Sequence, residues 1–410
     1  MVNSSVINRI LIARGLRAFA DGYVSLLLPL YLLGLGYGPL EVGLIATATL
    51  LGSGLLTLVV GLRAHRFHYR SVLLAATLLM AATGLGFAAC TEFWPLLLIA
   101  IVGTLNPSAG DVSVFLPLEH AVLSRSVTDR ERTAVFARYS LVGALLAAIG
   151  SLAAGVPALL AAAFGVSQIG SLQLMFIAYA VLGLITASIY RGLPAGGAET
   201  RTPSAPLQKS RRRVYALAAL FSLDAFGGGF VVQSMIALWL FQRFGLSVTT
   251  AGTIFFWTGL LTALSYLVAV RIAKRIGLVN TMVFTHLPSS LCLIAIPFMP
   301  ELQYVITLLF VRSALSQMDV PTRSSYVMAI VDPSERPAAA TLTSVPRSLA
   351  ATASPFLAGY MLAVSPFGWP LIAAGATKIV YDLLLLAMFR RVPAPEESAR
   401  QRPVASPDHA

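Results

Sequence analysis

Gly110-Asp111-Val112 lies inside an apolar segment and recurs as Met318-Asp319-Val320, roughly 205 residues later, which is half of the chain. A second polar stretch, Arg138-Tyr139-Ser140-Leu141, recurs as Arg347-Ser348-Leu349 at nearly the same interval. Because the two intervals agree, the sequence predicts two similar halves in tandem.

Asp21 and Asp224 lie in the first apolar segment of each half and are separated by nearly the same interval. A charged side chain at the centre of a bilayer costs about 2.5 to 3.5 kcal/mol to insert, so it needs a partner or a water-filled cavity. A duplicated membrane domain with ionisable residues at matching mid-bilayer positions is typical of a solute transporter.

The composition is that of an integral membrane protein. Of the 410 residues, 57% are hydrophobic and only 11% are charged, and the mean hydropathy is +0.81. A soluble domain has roughly a quarter of its residues charged. The apolar stretches are about 20 to 30 residues long and rich in Ala and Leu, which favours helices over a barrel.

The basic residues report orientation in the membrane. The net charge is +12, and the Lys and Arg residues lie mainly in short loops after the even-numbered apolar segments. The positive-inside rule accounts for this distribution, so no nucleic-acid partner is predicted and both termini are predicted to be cytoplasmic. Compact loops and an Ala- and Arg-rich composition favour the cytoplasmic (inner) membrane of a prokaryote.

Hydropathy predicts an all-α fold of twelve transmembrane helices in two pseudo-symmetric six-helix bundles. The predicted boundaries are 1–190 for the first bundle, 191–213 for a cytoplasmic linker, 214–392 for the second bundle and 393–410 for a cytoplasmic tail. The tail is rich in Pro, Glu, Arg and Ser and has few apolar groups to bury, so it is predicted to be disordered.

The loop after the second apolar segment reads Gly61-Leu62-Arg63-Ala64-His65-Arg66, and its second-half counterpart reads Ala273-Lys274-Arg275-Ile276-Gly277. Together with the six-plus-six repeat and the central linker, these loops resemble the major facilitator superfamily. The residues that match the family's loop motif are Gly61, Ala64, Arg66, Ala273, Arg275 and Gly277. His65 replaces the family's aspartate, and the fourth segment lacks the arginine of many drug/proton antiporters.

The resemblance implies alternating access, in which two bundles rock about a central site near the bilayer midplane. The candidate substrate- or proton-binding residues are Asp21, Asp111, Asp224, Gln233, Arg312, Asp319 and Arg323. Their spacing predicts that Arg312, Ser316, Asp319 and Arg323 share one stripe of the tenth transmembrane span. Such a stripe either lines the transport path or forms a permanent ion pair between neighbouring helices.

Glu119, Arg138 and Arg347 are candidates for ion pairs that gate the path. Either Asp111 or Glu119 is expected to pair with Arg138, and Asp319 with Arg347; a static bridge remains the alternative to a gate. Lys378 and Asp382 are one turn apart and are interpreted as a self-contained ion pair. His120 and His286 are interpreted as structural.

The chain contains no P-loop and no common hydrolase motif, so we predict neither an enzyme nor a cofactor or metal requirement. The favoured function is proton-linked export of a small organic solute by a monomer in the lipid bilayer. One alternative is uptake or exchange of an organic anion through the arginines Arg138, Arg312, Arg323 and Arg347. Another is a transporter-like receptor that moves no solute.

Overall fold

The computed structural model describes residues 4–63, 68–108, 114–127, 129–194, 207–332, 335–390 and 392. Within these residues the fold is all-α, with no strand. The first half contains α1 (Ser4–Gly34), α2 (Pro39–Arg63), α3 (Tyr69–Ala89), α4 (Phe93–Val102), α5 (Phe115–Ser126), α6 (Asp129–Ala153), α7 (Val156–Phe164) and α8 (Gln168–Arg191).

The second half contains α9 (Arg211–Gly229), α10 (Gln233–Phe244), α11 (Val248–Ile276), α12 (Leu278–Ala295), α13 (Leu302–Leu315), α14 (Asp319–Ile330), α15 (Arg336–Val364) and α16 (Trp369–Phe389). In the described part of the chain, nine helical segments of 21 to 34 residues are long and apolar enough to cross a membrane. About 20 residues suffice for one crossing. The predicted total of twelve crossings stays a prediction.

Short loops between helices use glycine and serine in a consistent way. Gly165 ends α7 and Gly245 ends α10, with φ of 66° and 59°, values that an L side chain rarely adopts. Two residues later a serine begins the next helix: Ser167 accepts a hydrogen bond from the Gly170 N–H, and Ser247 from the Thr250 N–H, each at 3.1 Å. These loops fix sharp reversals between adjacent helices.

The helix that was expected to carry a continuous polar stripe is interrupted. The turn Ser316–Met318 separates α13 from α14. The prediction that the residues from Arg312 to Arg323 share one helical face was therefore wrong. Pro321 is the third residue of α14 and lacks the N–H that would bond the Gln317 carbonyl. In the first half, Pro117 is likewise the third residue of α5.

The hydrophobic cores show how the two halves meet. We call the end where α8 ends and α9 begins the linker end, and the opposite end the far end. At the far end one core contains residues from both halves, including Leu26, Ile45, Trp239 and Leu362. At the linker end there are two cores, one formed by first-half residues such as Ile10 and Leu123, the other by second-half residues such as Val214 and Tyr326. The described halves are therefore packed together at the far end and separate toward the linker end.

Glycines close the seam between α2 and α15 at the far end. A Cβ atom placed on Gly43 would lie 2.5 Å from the Pro355 carbonyl oxygen and 2.9 Å from the Gly359 Cα atom. Nearby, the Phe356 N–H donates to the Thr47 hydroxyl at 2.9 Å. Toward the linker end, a Cβ atom placed on Gly54 would lie 3.9 Å from Leu349 Cδ2. Farther along α15 toward that end, Ser344 and Pro346 are exposed.

Candidate functional site

Asp224 is the centre of a buried charge network in the second half. Its Oδ2 atom accepts a hydrogen bond of 2.9 Å from Arg323 Nη1, and its Oδ1 atom accepts one of 2.7 Å from Lys378 Nζ. Arg323 also contacts Asp319, with 3.3 Å between Nη2 and Oδ2. Since Asp224 lies 13 residues after the start of α9, it is roughly 20 Å from that end, at a rise of about 1.5 Å per residue.

His286 of α12 joins this network to Asp382, which lies on α16 one turn after Lys378. Its Nδ1 atom lies 3.0 and 3.1 Å from the two carboxylate oxygens of Asp382, whose side chain is fully buried. Its Nε2 atom lies 3.4 Å from Lys378 Nζ and 3.6 Å from Asp224 Oδ1. The ring also stands edge-on to Tyr381. Four helices thus contribute to one continuous set of ion pairs.

The glycines after Asp224 allow Lys378 to reach the carboxylate. A Cβ atom on Gly227 would lie 3.2 Å from Lys378 Cγ, so α9 presents no side chain where the lysine stem passes. A Cβ atom on Gly229 would lie 2.5 Å from the Ala351 carbonyl oxygen, which brings α15 close to the same segment. α9 ends at Gly229. The triple glycine therefore lies where α9 ends and permits close packing against α15 and α16.

Arg347 lies on α15 at the edge of this network. Within the residues that the structure describes, its guanidinium makes no hydrogen bond or ion pair, and its Nε atom is buried. Its charge interacts with Arg323, Asp224 and Asp319 at longer range. The expected pair with Asp319 is therefore not formed in this structure, because Arg323 already occupies that carboxylate.

The first half holds a different buried carboxylate, Glu119 of α5. It accepts hydrogen bonds of 2.5 Å from the hydroxyls of Tyr139 and Tyr190, and it forms an ion pair with Arg17 of α1. The Arg17 guanidinium lies over the Phe115 ring, 4.0 Å from its centroid. Glu119 is completely buried, so all its partners are protein groups that hold it in place.

Asp21 lies deeper on α1 and is also buried. The side chain of Asn106 bonds to it, and Arg17 and Arg14 interact with its charge. Asn106 belongs to the non-helical stretch after α4, where Thr104 accepts a 3.3 Å hydrogen bond from Tyr179 through its carbonyl. Non-helical backbone at membrane depth is tolerated where protein or a cavity surrounds it.

Several expected contacts differ in the structure. Glu119 pairs with Arg17 and not with Arg138, because Arg138 lies on the exposed face of α6. Lys378 and Asp382 are not a self-contained pair: Lys378 binds Asp224 and Asp382 binds His286. His286 belongs to the charge network, a role that the sequence did not reveal.

The remaining candidates are scattered. Gln233 donates a 3.3 Å hydrogen bond to Ser151 across the seam between the halves. Arg312 lies near Cys292 of α12, and its Nε atom has no hydrogen-bond partner among the described residues. His120 stacks on Phe136. Asp111 lies outside the described residues.

The loop motif is described only in part. Gly61 is in the last turn of α2, whereas Ala64 and Arg66 lie outside the described residues. In the second half, Ala273 and Arg275 are in the last turn of α11, and Gly277 follows it with φ of 88°. Among the described residues, no group of three or more His, Cys, Asp or Glu side chains has the arrangement to hold a metal ion.

Comparison with known proteins agrees with this architecture. A profile of the Major Facilitator Superfamily matches residues 10–309 and 215–407. An uncharacterized membrane protein of Saccharomyces cerevisiae is 26% identical over 416 residues, covering 92% of this chain and 93% of that protein. Because this relative is a yeast protein, the assignment of the chain to a prokaryote stays a prediction.

Three solved structures are similar in fold. A bacterial homolog of the human lysosomal transporter Spinster, inward-facing and occupied, has a TM-score of 0.73 at 14% identity, covering 94% of this chain and 96% of that chain. The nucleoside transporter NupG has a TM-score of 0.71 at 13% identity, covering 94% and 99%. The human organic anion transporter MFSD10 has a TM-score of 0.67 at 17% identity, covering 93% and 99%.

Apolar helices long enough to cross a membrane, with a family profile that matches most of the chain, define a multi-pass membrane transporter. The chain belongs to the major facilitator superfamily, as its sequence predicted. At these identities the solved structures establish the fold and not the solute.

Proposed function

We propose that this chain is a proton-linked secondary transporter that exports a small organic solute by alternating access. The observation that carries this proposal is the charge network around Asp224, which joins four helices at mid-depth and contains three carboxylates and a histidine. Buried ionisable groups in membrane proteins mark ion and substrate paths, because they are costly to keep.

The packing of the halves supports alternating access. A shared far-end core and separate linker-end cores describe one of the two states that such a cycle needs. With the orientation proposed from loop charge, the linker end is cytoplasmic and the state is inward-facing. We propose a monomer in a cytoplasmic membrane of a prokaryote, with residues 191–213 as the linker between two six-helix bundles.

A second candidate function is uptake or exchange of an organic anion. Arg347 favours it, because its guanidinium has no ion-pair partner among the described residues and lies beside the line where the halves separate. A carboxylate or phosphate on the solute would supply the missing partner. The fold shared with an organic anion transporter is compatible with this candidate but does not identify the solute.

A two-stage experiment tests these functions. A thermal-shift screen of the purified protein against nucleosides, organic acids, amino acids, sugars and cationic drugs identifies solutes that stabilise it. Proteoliposomes with an imposed pH gradient and a trapped pH dye then report solute-evoked proton flux. Proton-linked export predicts such flux in the wild type, its loss in Asp224→Asn and its retention in Asp332→Asn, a control at the linker end. Solute transport that ignores the pH gradient contradicts proton linkage and favours exchange.

A further inference from the structure

We propose that His286 is the proton-binding residue of the transport cycle and that a proton bound there displaces Lys378 from Asp224. The inference rests on the proposed proton-linked function and assigns its proton to one side chain. It comes from two contacts that meet at one oxygen atom, Asp224 Oδ1, and from a third that joins Lys378 to His286.

Two cationic groups compete for Asp224 Oδ1. Lys378 Nζ occupies it at 2.7 Å, and His286 Nε2 lies 3.6 Å away. In the neutral imidazole, the Nδ1 proton is donated to Asp382 and the Nε2 lone pair faces Lys378 Nζ at 3.4 Å. All three groups are then satisfied.

Protonation of His286 removes that arrangement. Nε2 gains a hydrogen atom and loses its lone pair, so it repels the lysine ammonium and requires an acceptor of its own. The nearest acceptor is Asp224 Oδ1. The second Asp224 oxygen already accepts from Arg323, so Lys378 would meet the positive charge of the guanidinium there.

Charge balance gives the same result. Asp224 on α9 and Lys378 and Asp382 on α16 lie next to His286, and Asp319 and Arg323 on α14 and Arg347 on α15 surround Asp224. With a neutral imidazole, three carboxylates face three cations. A proton adds one positive charge, and Lys378 is the member best placed to leave, because its side chain is the most exposed of those that touch Asp224, at 12%.

Nitrogen-15 NMR of the imidazoles in lipid-reconstituted full-length protein tests the inference. The chain has five histidines, and the missing signal of His286→Gln assigns His286. We expect its signals to change from the neutral Nδ1–H form to the imidazolium form as the pH is lowered. In Lys378→Met, which keeps the length of the side chain, the midpoint of this change should move to higher pH because a neighbouring cation is gone.

Lys209→Met serves as the matched control, since Lys209 is an exposed lysine at the linker end and should leave the midpoint unchanged. If His286→Gln does not fold, Asp382→Asn assigns the signal instead, because it removes the acceptor of the Nδ1 proton. A His286 signal that stays in one form from pH 5 to 9, or a midpoint unmoved by Lys378→Met, overturns the proposal.

The proton-flux experiment separates this inference from the proposed function. Solute-evoked proton flux with a non-titrating His286 removes the inference and leaves proton linkage standing. His286 could instead titrate and respond to Lys378→Met while no solute-evoked proton flux is found. That result removes proton linkage as the function, and with it the role of this proton in transport. A wild-type flux that falls at least tenfold in His286→Gln, in protein that melts at the wild-type temperature, supports both.

Discussion

The two halves carry the same kind of inter-helix ion pair with opposite polarity. In the first half, the cation Arg17 is on the first helix and the anion Glu119 is on α5. In the second half, the anion Asp224 is on the equivalent first helix, α9, and the cation Arg323 is on α14. In each case the guanidinium lies over a phenylalanine ring, Phe115 or Phe221.

The two ion pairs differ in whether the partners of the carboxylate can be exchanged. Glu119 has three fixed partners, two of them tyrosine hydroxyls. Asp224 bonds to both Lys378 and Arg323 and also lies 3.6 Å from His286, so its partners can be exchanged. The first-half pair therefore serves as a fixed clamp, and the second-half network has the groups that a proton cycle needs.

The largest effect is expected from breaking the first-half pair. Glu119→Gln leaves Arg17 buried beside a neutral amide, and removing one member of a buried pair costs about 3 to 5 kcal/mol. The melting temperature in detergent should fall sharply. The double variant Arg17→Met with Glu119→Gln should recover part of the loss, and equal stability of single and double variants would contradict the clamp.

Substitutions in the second-half network should reduce transport more than they reduce stability. Asp224→Asn leaves Arg323 paired with Asp319, and Lys378 is partly exposed, so the protein is expected to fold. We expect solute-evoked proton flux to fall at least tenfold while the melting temperature changes less than in Glu119→Gln. The opposite ranking would show that both networks are structural.

A moderate effect is expected at Arg347, which has an exposed first-half counterpart in Arg138. If the solute is an anion, Arg347→Gln should weaken its binding about 10- to 150-fold, which corresponds to the roughly 1.5 to 3 kcal/mol of a hydrogen bond to a charged group. Arg138→Gln should change binding little because that side chain is on the exposed face of α6. Calorimetric titration of the solute identified by thermal shift measures both. Equal effects of the two variants would remove Arg347 as a specific site.

The smallest effect concerns the attachment of the linker to the second half. The backbone N–H of Gln208, together with those of Lys209 and Ser210, donates to the Glu335 carboxylate and lowers its pKa to about 2. This contribution is present above the usual carboxyl pKa and is lost as the pH falls through the lowered one. The melting temperatures of wild type and Glu335→Gln should therefore converge as the pH falls from about 5 to 2.

At neutral pH, trypsin should cut faster after Lys209 in Glu335→Gln, because the backbone there is no longer held. Asp332→Asn is the control, since the Asp332 carboxylate lies 3.6 Å from the exposed end of Lys209 and does not accept the backbone hydrogen bonds that Glu335 accepts. Equal cleavage rates in the two variants would contradict the anchoring role of Glu335.

The sequence predicted the membrane class, the family and Asp224 as a candidate site residue. Each of these follows from the length of the apolar segments, from the repeat or from a short motif. It missed the partners of Asp224. Lys378 and His286 lie 154 and 62 residues away on other helices, and spacing along one chain does not show which helices pack together. It also missed the break in α13 and α14, although Pro321 was a local signal for it.

The sequence by itself determined that the chain is a duplicated helical membrane protein, because bilayer thickness and the cost of unpaired backbone groups restrict long apolar segments to a few solutions. Only the tertiary structure decided which charges meet. Each buried ion needs a partner within about 4 Å, and which helices come that close depends on packing through small residues such as Gly227 and Gly229. For that reason the network around Asp224, and the histidine within it, became visible only in the folded chain.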